Sequence, residues 1–139
     1  MTGNARRSEN IEIGDEMAPI SFDISLTALI KYSAATWDFH PYHYDGAAVR
    51  RFGLPAPLAD GQMFGALMAR LLMSWGGPDA FLRRLKYRVL APAFVDETIE
   101  VSGRVTSKWA ENGVLLVGAS VAITKTDGSA IIRDILKLR

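Results

Sequence analysis

Along residues 98–109 the apolar side chains Ile99, Val101, Val105 and Trp109, with Gly103 among them, alternate with Glu100, Ser102, Arg104, Thr106 and Lys108. A period of two puts the apolar set on one face of an extended chain, so this stretch predicts a β-strand with one buried side. Asn112-Gly113 follows, a dipeptide suited to the positive φ angles of a tight hairpin, and leads into a second strand over 114–125. Asp127-Gly128 repeats the signal ahead of a strand over 129–138. Residues 81–90 read as a further strand, and residues 11–25, interrupted by Gly14-Asp15 and Pro19, as a strand with a turn.

The helical spacings lie between these. Ser25 can cap a helix in which Leu26, Leu29, Ile30 and Ala34 recur at helical intervals, ending near Thr36. Pro41 biases the residue before it away from helix, so 37–45 is expected to be a loop. A short helix over 46–52 and a connector stiffened by Pro55 and Pro57 come next. Asp60 can cap a longer helix that Gly76-Gly77-Pro78 stops. In it Met63, Phe64, Leu67, Leu71, Leu72 and Trp75 form one stripe, Gly65, Ala66 and Ala69 occupy other faces, and only Gln62, Arg70 and Ser74 are polar. An amphipathic surface helix shows a polar back, so this one is expected to be wrapped by other structure. An N-terminal strand, two helical segments and three or four antiparallel strands around one buried helix make an α+β domain, a curved sheet rolled around a helix. Such a sheet keeps an open edge, and pairing with a second subunit is the simplest way to cover it.

Composition narrows the functional classes. The chain has 139 residues, about half of them apolar, which fits a polar lead over 1–10 and a single compact domain over 11–139. With 16 basic and 15 acidic side chains and no basic run, nucleic acid is not an expected partner. Cysteine is absent, so neither a disulfide framework nor a thiolate nucleophile is available, which suits a reducing compartment. Residues 1–10 contain no apolar stretch of signal-peptide type, and the expected location is cytoplasmic. The most apolar segment, 63–75, falls short of the about 20 residues of a membrane span and is broken by Arg70, so no membrane partner is expected.

Both histidines, His40 and His43, lie in the loop 37–45, together with Asp38 and Asp45. A histidine titrates near pH ~6.5 when unperturbed, so it can give or take a proton at neutral pH, and a nearby carboxylate can orient its ring or share the transfer. Asp38 and His43 are candidates for such a pair. Two other readings of the same residues stand beside it: a solvated loop whose polar groups cap the neighbouring helices, and a metal site built from Asp38, His40, His43 and Asp45. For the second, no further histidine and no cysteine complete a familiar zinc set.

With Asp38, Pro41, His43 and Asp45 in this register, the chain resembles the MaoC-like (R)-specific enoyl-CoA hydratases and dehydratases, a family of hot-dog fold. The family loop carries an aspartate, then Asn-Pro, one apolar residue and a histidine, often with another aspartate behind. Ile13-Gly14-Asp15-Glu16, Asp60-Gly61-Gln62, Ala91-Pro92 and Asp96-Glu97 extend the resemblance over nearly the whole chain. It implies reversible hydration of a trans-2-enoyl thioester, or dehydration of a 3-hydroxyacyl thioester, on coenzyme A or an acyl carrier. Asp38 and His43 would hold the water, and the backbone N–H of Gly61 at a helix start would meet the thioester oxygen as an enolate forms. A second reading of Gly61 is that it is small so the helix can approach its neighbours. No metal and no other cofactor is needed for this chemistry. Related heteromeric hydratases of steroid side-chain breakdown and fatty-acyl elongation combine an active with a degenerate hot-dog subunit, so the implied partner is an identical chain or a second hot-dog chain.

The departures from the family loop fall beside the pair. His40 stands where asparagine is usual, Asp60, which places a negative charge near the helix start, where histidine is common, and Trp37, in place of a glycine, is expected to narrow or reshape the pocket beside the pair. Phe39, His40, Tyr42, Asp60 and Phe64 are the expected substrate contacts, with Tyr44 and Trp75 as further apolar walls, although Phe64 and Trp75 at helical spacing also read as plain core. Arg84, Lys86 and Arg88 share one face of the segment 81–90 and either meet the phosphates of coenzyme A or are a solvated face. A hot-dog fold also suits a thioesterase, with Asp38 directing water at the carbonyl carbon, or a non-catalytic subunit that completes another chain's tunnel.

Overall fold

The computed structural model describes residues 10–133. After a turn in which Gly14 takes φ 98°, β1 runs over Glu16–Asp23. Next come α1, Leu26–Thr36, a 3-10 turn over Pro41–His43, and α2, Gly46–Arg51. The long helix α3, Gly61–Gly76, precedes β2, Thr98–Glu111, β3, Val114–Lys125, and β4, Ala130–Ile132. The four strands form one antiparallel sheet in the order β1-β2-β3-β4.

The turn chemistry acts where the sequence placed it. Asn112 and Gly113 both adopt positive φ, 52° and 78°, and connect β2 to β3 in a hairpin paired from Ile99–Lys125 to Glu111–Val114. Ser25 caps α1 by accepting a hydrogen bond from the Ala28 N–H at 3.1 Å. Ser25→Ala removes that acceptor, and chemical denaturation is expected to record a loss of about 1 kcal/mol.

The core lies between α3 and the inner face of the sheet. Met63, Phe64, Leu67, Met68 and Leu71 of α3 pack in one cluster with Ile99, Val101 and Val105 of β2 and Val121 and Ile123 of β3. Gly103 is the strand position at the closest approach, where a Cβ would sit 2.6 Å from the Met17 sulfur and 3.1 Å from Leu71. Among the described residues, no helix is long and apolar enough to cross a membrane.

Of three expectations, one is corrected, one holds and one lies partly outside the described residues. Residues 81–90 form no ladder: one bridge joins Val89 to Ile132, and the Leu90 N–H donates to the Ile131 carbonyl at 2.8 Å. Leu85 and Tyr87 pack against the core cluster and the Tyr87 hydroxyl donates to the Gly61 carbonyl, whereas Phe81, Val89 and Leu90 are exposed. The helix α3 is covered by other structure as expected over Met63, Phe64, Leu67, Met68 and Leu71, while Gln62, Ala66, Arg70, Met73 and Ser74, spaced along one line of its surface, are exposed. The strand expected over 129–138 is seen as β4, and its part beyond 133, like the lead over 1–9, lies outside the described residues.

Candidate active site

The loop between α1 and α2 is fastened from both sides by one residue of the connector. The Leu58 N–H donates to the Tyr42 carbonyl at 3.0 Å, and the Leu58 carbonyl lies 2.8 Å from His43 Nδ1. A carbonyl only accepts, so Nδ1 carries a proton and the bond fixes the plane of the ring. The connector is itself held in place, since Ala59 N–H donates to the Ala93 carbonyl and Val95 N–H to the Pro57 carbonyl, both at 2.8 Å. With Nδ1 occupied, His43 Nε2 is the ring atom left for chemistry. It lies 4.0 Å from Asp38 Oδ2, in a side chain that is 12% exposed against 37% for Asp38. The other Asp38 oxygen, Oδ1, accepts the His40 N–H at 3.3 Å.

The third member is Asp60, at the mouth of α3. Its Oδ1 accepts the Gln62 N–H at 2.8 Å, the capping role that the sequence assigned to it. Its Oδ2 is buried and has no protein hydrogen-bond partner. One oxygen each of Asp38 and Asp60 and one ring nitrogen of His43 lie within 4.8 Å of one another. Gly61, the next residue, is the first of the helix, and the opening N–H groups of a helix have no partner within it. A Cβ at Gly61 would reach only ordinary contact with Val89, at 3.5 Å, so helix packing does not require glycine there. The close approach belongs to Gly65, where a Cβ would fall 2.5 Å from the Tyr87 hydroxyl.

Tyr32 of α1 faces the same region. Burial raises its phenol above the ordinary value, and the negative charge of Asp60 and then Tyr87 add to this. The neutral phenol is therefore favoured in the fold, and that contribution to stability is present at neutral pH and is lost as the pH rises through the raised value. Asp60→Asn removes one of the causes, so the phenolate of Tyr32, read by alkaline difference absorbance against Tyr32→Phe, is expected to develop at lower pH than in the parent.

The remaining expected residues divide. His40 accepts the Tyr42 N–H on Nδ1 at 3.3 Å and packs on the Tyr42 ring at 4.0 Å, which makes it the cap of the 3-10 turn. Asp45 caps α2 through the N–H groups of Ala48 and Ala47, and these bonds hold its carboxyl below the usual range. The four-residue set Asp38, His40, His43 and Asp45 is thus not the cluster that forms, because two of its members are spent on local caps. Trp37 is the left-handed cap of α1, at φ 58°, and is 83% exposed, edge-on to Phe39, so it does not fill the space beside the pair. Phe39 is half-exposed, Tyr42 rests against Phe52, and the Tyr44 hydroxyl ties back to the Phe39 carbonyl at 2.7 Å. Phe64 is 1% exposed and belongs to the core. Arg84, Lys86 and Arg88 are exposed, while Leu85 and Tyr87 between them are half-buried. An apolar groove between α3, residues 82–87 and β3 has Met68, Leu72, Leu85 and Val117 in its walls and none of the expected loop aromatics. Sequence reasoning missed Leu58 and Tyr87, which act through a carbonyl and a hydroxyl across 15 and 26 residues of chain.

Comparison with known proteins sets this arrangement in a family. The (R)-hydratase of A. caviae involved in PHA biosynthesis superposes with a TM-score of 0.82 at 19% identity, over 91% of this chain and 94% of that one. The ChsH1-ChsH2 complex from Mycobacterium tuberculosis gives 0.78 at 22% identity, over 87% and 91% of the two chains. R-hydratase PhaJ1 from Pseudomonas aeruginosa gives 0.79 at 22%, over 90% and 79%. At these identities the likeness is one of fold, and the fold is the hot-dog. Among curated proteins none matches this chain. The family model of the MaoC like domain matches residues 10–125, which hold the loop, the connector and the start of α3, and the chain belongs to the MaoC-like dehydratase family.

Proposed function

We propose that the protein is an acyl-thioester hydro-lyase that adds water to a trans-2-enoyl thioester, or removes it from a 3-hydroxyacyl thioester, with Asp38 and His43 as the acid/base pair. The observation that carries this reading is the pair itself. His43 Nε2 and Asp38 Oδ2 stand 4.0 Å apart, too far for a direct hydrogen bond, with the imidazole held by the Leu58 carbonyl. Such a gap suits a small oxygen species between them. One member draws a proton from water as its oxygen bonds to the β-carbon, and the other delivers a proton to the α-carbon. Between these events the thioester oxygen gains negative charge, and the N–H of Gly61, at the positive end of α3, is a backbone donor suited to that role.

Coenzyme A as carrier is supported by the segment 81–90. Tyr87 fastens this segment to the Gly61 carbonyl, and Lys86 and Arg88 on either side of it are exposed and available to phosphate, with Arg84 one step further. Replacing all three by Ala is expected to raise KM for a coenzyme A thioester by about tenfold, a difference of roughly 1.4 kcal/mol. The KM for the same acyl group on N-acetylcysteamine, which lacks the phosphates, should not move. A second chain of the same fold is the proposed partner, in keeping with the ChsH1-ChsH2 complex among the similar structures.

The deciding experiment is turnover of a short and a bulky trans-2-enoyl-CoA by the purified protein, following both enoyl absorbance and free thiol. Enoyl loss without thiol supports the hydro-lyase. Thiol release would identify a thioesterase, and turnover of neither kind would make this chain a supporting subunit.

A further inference from the structure

We propose that Asp60 is a third catalytic residue, holding the reacting water jointly with Asp38 and His43; the inference rests on the hydro-lyase reading and adds to it. Three observations meet here. Asp60 is 9% exposed, yet its Oδ2 has no partner within the protein, an arrangement that costs stability unless a donor satisfies it. It belongs to the one cluster of His and acidic groups within 4.8 Å of one another among the described residues. Its other oxygen is committed to the Gln62 N–H, which anchors the carboxylate at the end of α3, next to Gly61.

The spacing leaves room for one water. Ligands arranged tetrahedrally around zinc at about 2.1 Å stand roughly 3.4 Å apart. Groups hydrogen-bonded tetrahedrally to one water at about 2.8 Å stand roughly 4.6 Å apart. The Asp38–His43 separation of 4.0 Å lies midway between the two, and the 4.8 Å bound on the whole set admits a hydrogen-bonded water.

Counting protons then assigns the roles. Because Nδ1–H of His43 is given to Leu58, a neutral ring presents only a lone pair at Nε2. Two carboxylates and that lone pair would be three acceptors around a water with two hydrogens. One added proton, on Nε2, resolves the mismatch: the water donates to Asp38 and to Asp60, accepts from His43, and keeps one lone pair for the substrate. In the hydration step that lone pair forms the C–O bond at the β-carbon, and the C=C electron pair moves toward the thioester oxygen. Asp38 takes one proton of the water, and His43 Nε2–H is delivered to the α-carbon as the enolate collapses. The enzyme gains one proton and gives one, and transfer from Asp38 to His43 restores the starting state. Throughout, Asp60 keeps the second O–H, fixing the direction of the attacking lone pair.

The test uses Asp60→Ser and Asp60→Asn, each of which retains an oxygen to cap Gln62, beside Asp38→Asn, His43→Ala and the parent. Both Asp60 variants are expected to fold with thermal midpoints near the parent and to lose about 100-fold in kcat, with KM for the enoyl thioester within about threefold. Added formate should restore part of the Asp60→Ser activity, since serine leaves room for a small carboxylate. Full activity in both Asp60 variants, with Asp38→Asn and His43→Ala inactive, would overturn the role of Asp60 and leave the hydro-lyase standing. An inactive parent would remove both. Activity abolished by a chelator and restored by zinc would replace the water with a metal.

Discussion

Asp38→Asn and His43→Ala each lower kcat for enoyl-thioester hydration by about 10²–10⁴-fold, the usual weight of a positioned acid or base. The two substitutions differ in everything except that result. Asp38 is more than one-third exposed, and asparagine keeps an oxygen for the His40 N–H, so the thermal midpoint of this variant stays near the parent. His43 is mostly buried, and its loss leaves the Leu58 carbonyl without its donor, a cost of about 1–3 kcal/mol that shows in denaturation. Combining them is expected to give far less than the product of the single losses, because in the proposed reaction the two groups act on one water. Rates measured on hydration of a crotonyl thioester check all three statements. Variants that bind and turn over like the parent would remove the pair from the mechanism.

Phe64→Ala gives the largest expected loss of stability, about 3–5 kcal/mol, which lowers the thermal midpoint by roughly 10–20 °C. The ring is 1% exposed and sits in the cluster shared by α3, β2 and β3, so truncation opens a cavity that a helix and a sheet cannot close by collapsing. The same substitution separates two roles that the sequence left side by side. A core residue changes stability with KM nearly constant across acyl chain lengths, whereas a tunnel wall changes KM for the longer acyl chains at little cost in stability.

What the sequence disclosed and what it withheld follow from the range of the interactions. Caps and turns act over two or three residues, and Ser25, Asp60 and Asn112-Gly113 were legible because each needs only its own neighbours. The strand β2 was legible from alternation, since one face is buried in the core, and β3 from the hairpin dipeptide that leads into it. The loop was recognised from Asp38, Pro41 and His43, while the orientation of His43 depends on a carbonyl whose residue type is irrelevant, so no side chain could announce Leu58. Asp60 was legible as a cap and as a charge beside the pair. Its second oxygen entered the cluster through the meeting of a connector with a loop, which sequence spacing does not encode. Residues 81–90 were misread for the opposite reason: their alternation is real, but they meet the sheet only through the Val89–Ile132 bridge and the Leu90–Ile131 hydrogen bond, while Leu85 and Tyr87 line a groove shared by α3 and β3.

The pairing of β1 with β2 also governs how the protein reaches this state. Asp23 and Thr98 are register partners, so the loop, the connector and α3 all lie inside a chain segment closed by that pairing. The hairpin of β2 and β3 joins residues close in sequence and can form within microseconds. Closing the longer segment carries a greater loop entropy and must wait for apolar contacts with α3 to offset it. Refolding is therefore expected to be ordered, with the hairpin early and the gathering of Asp38, His43 and Asp60 late. Destabilising β1 slows the recovery of catalysis more than the recovery of β-sheet circular dichroism.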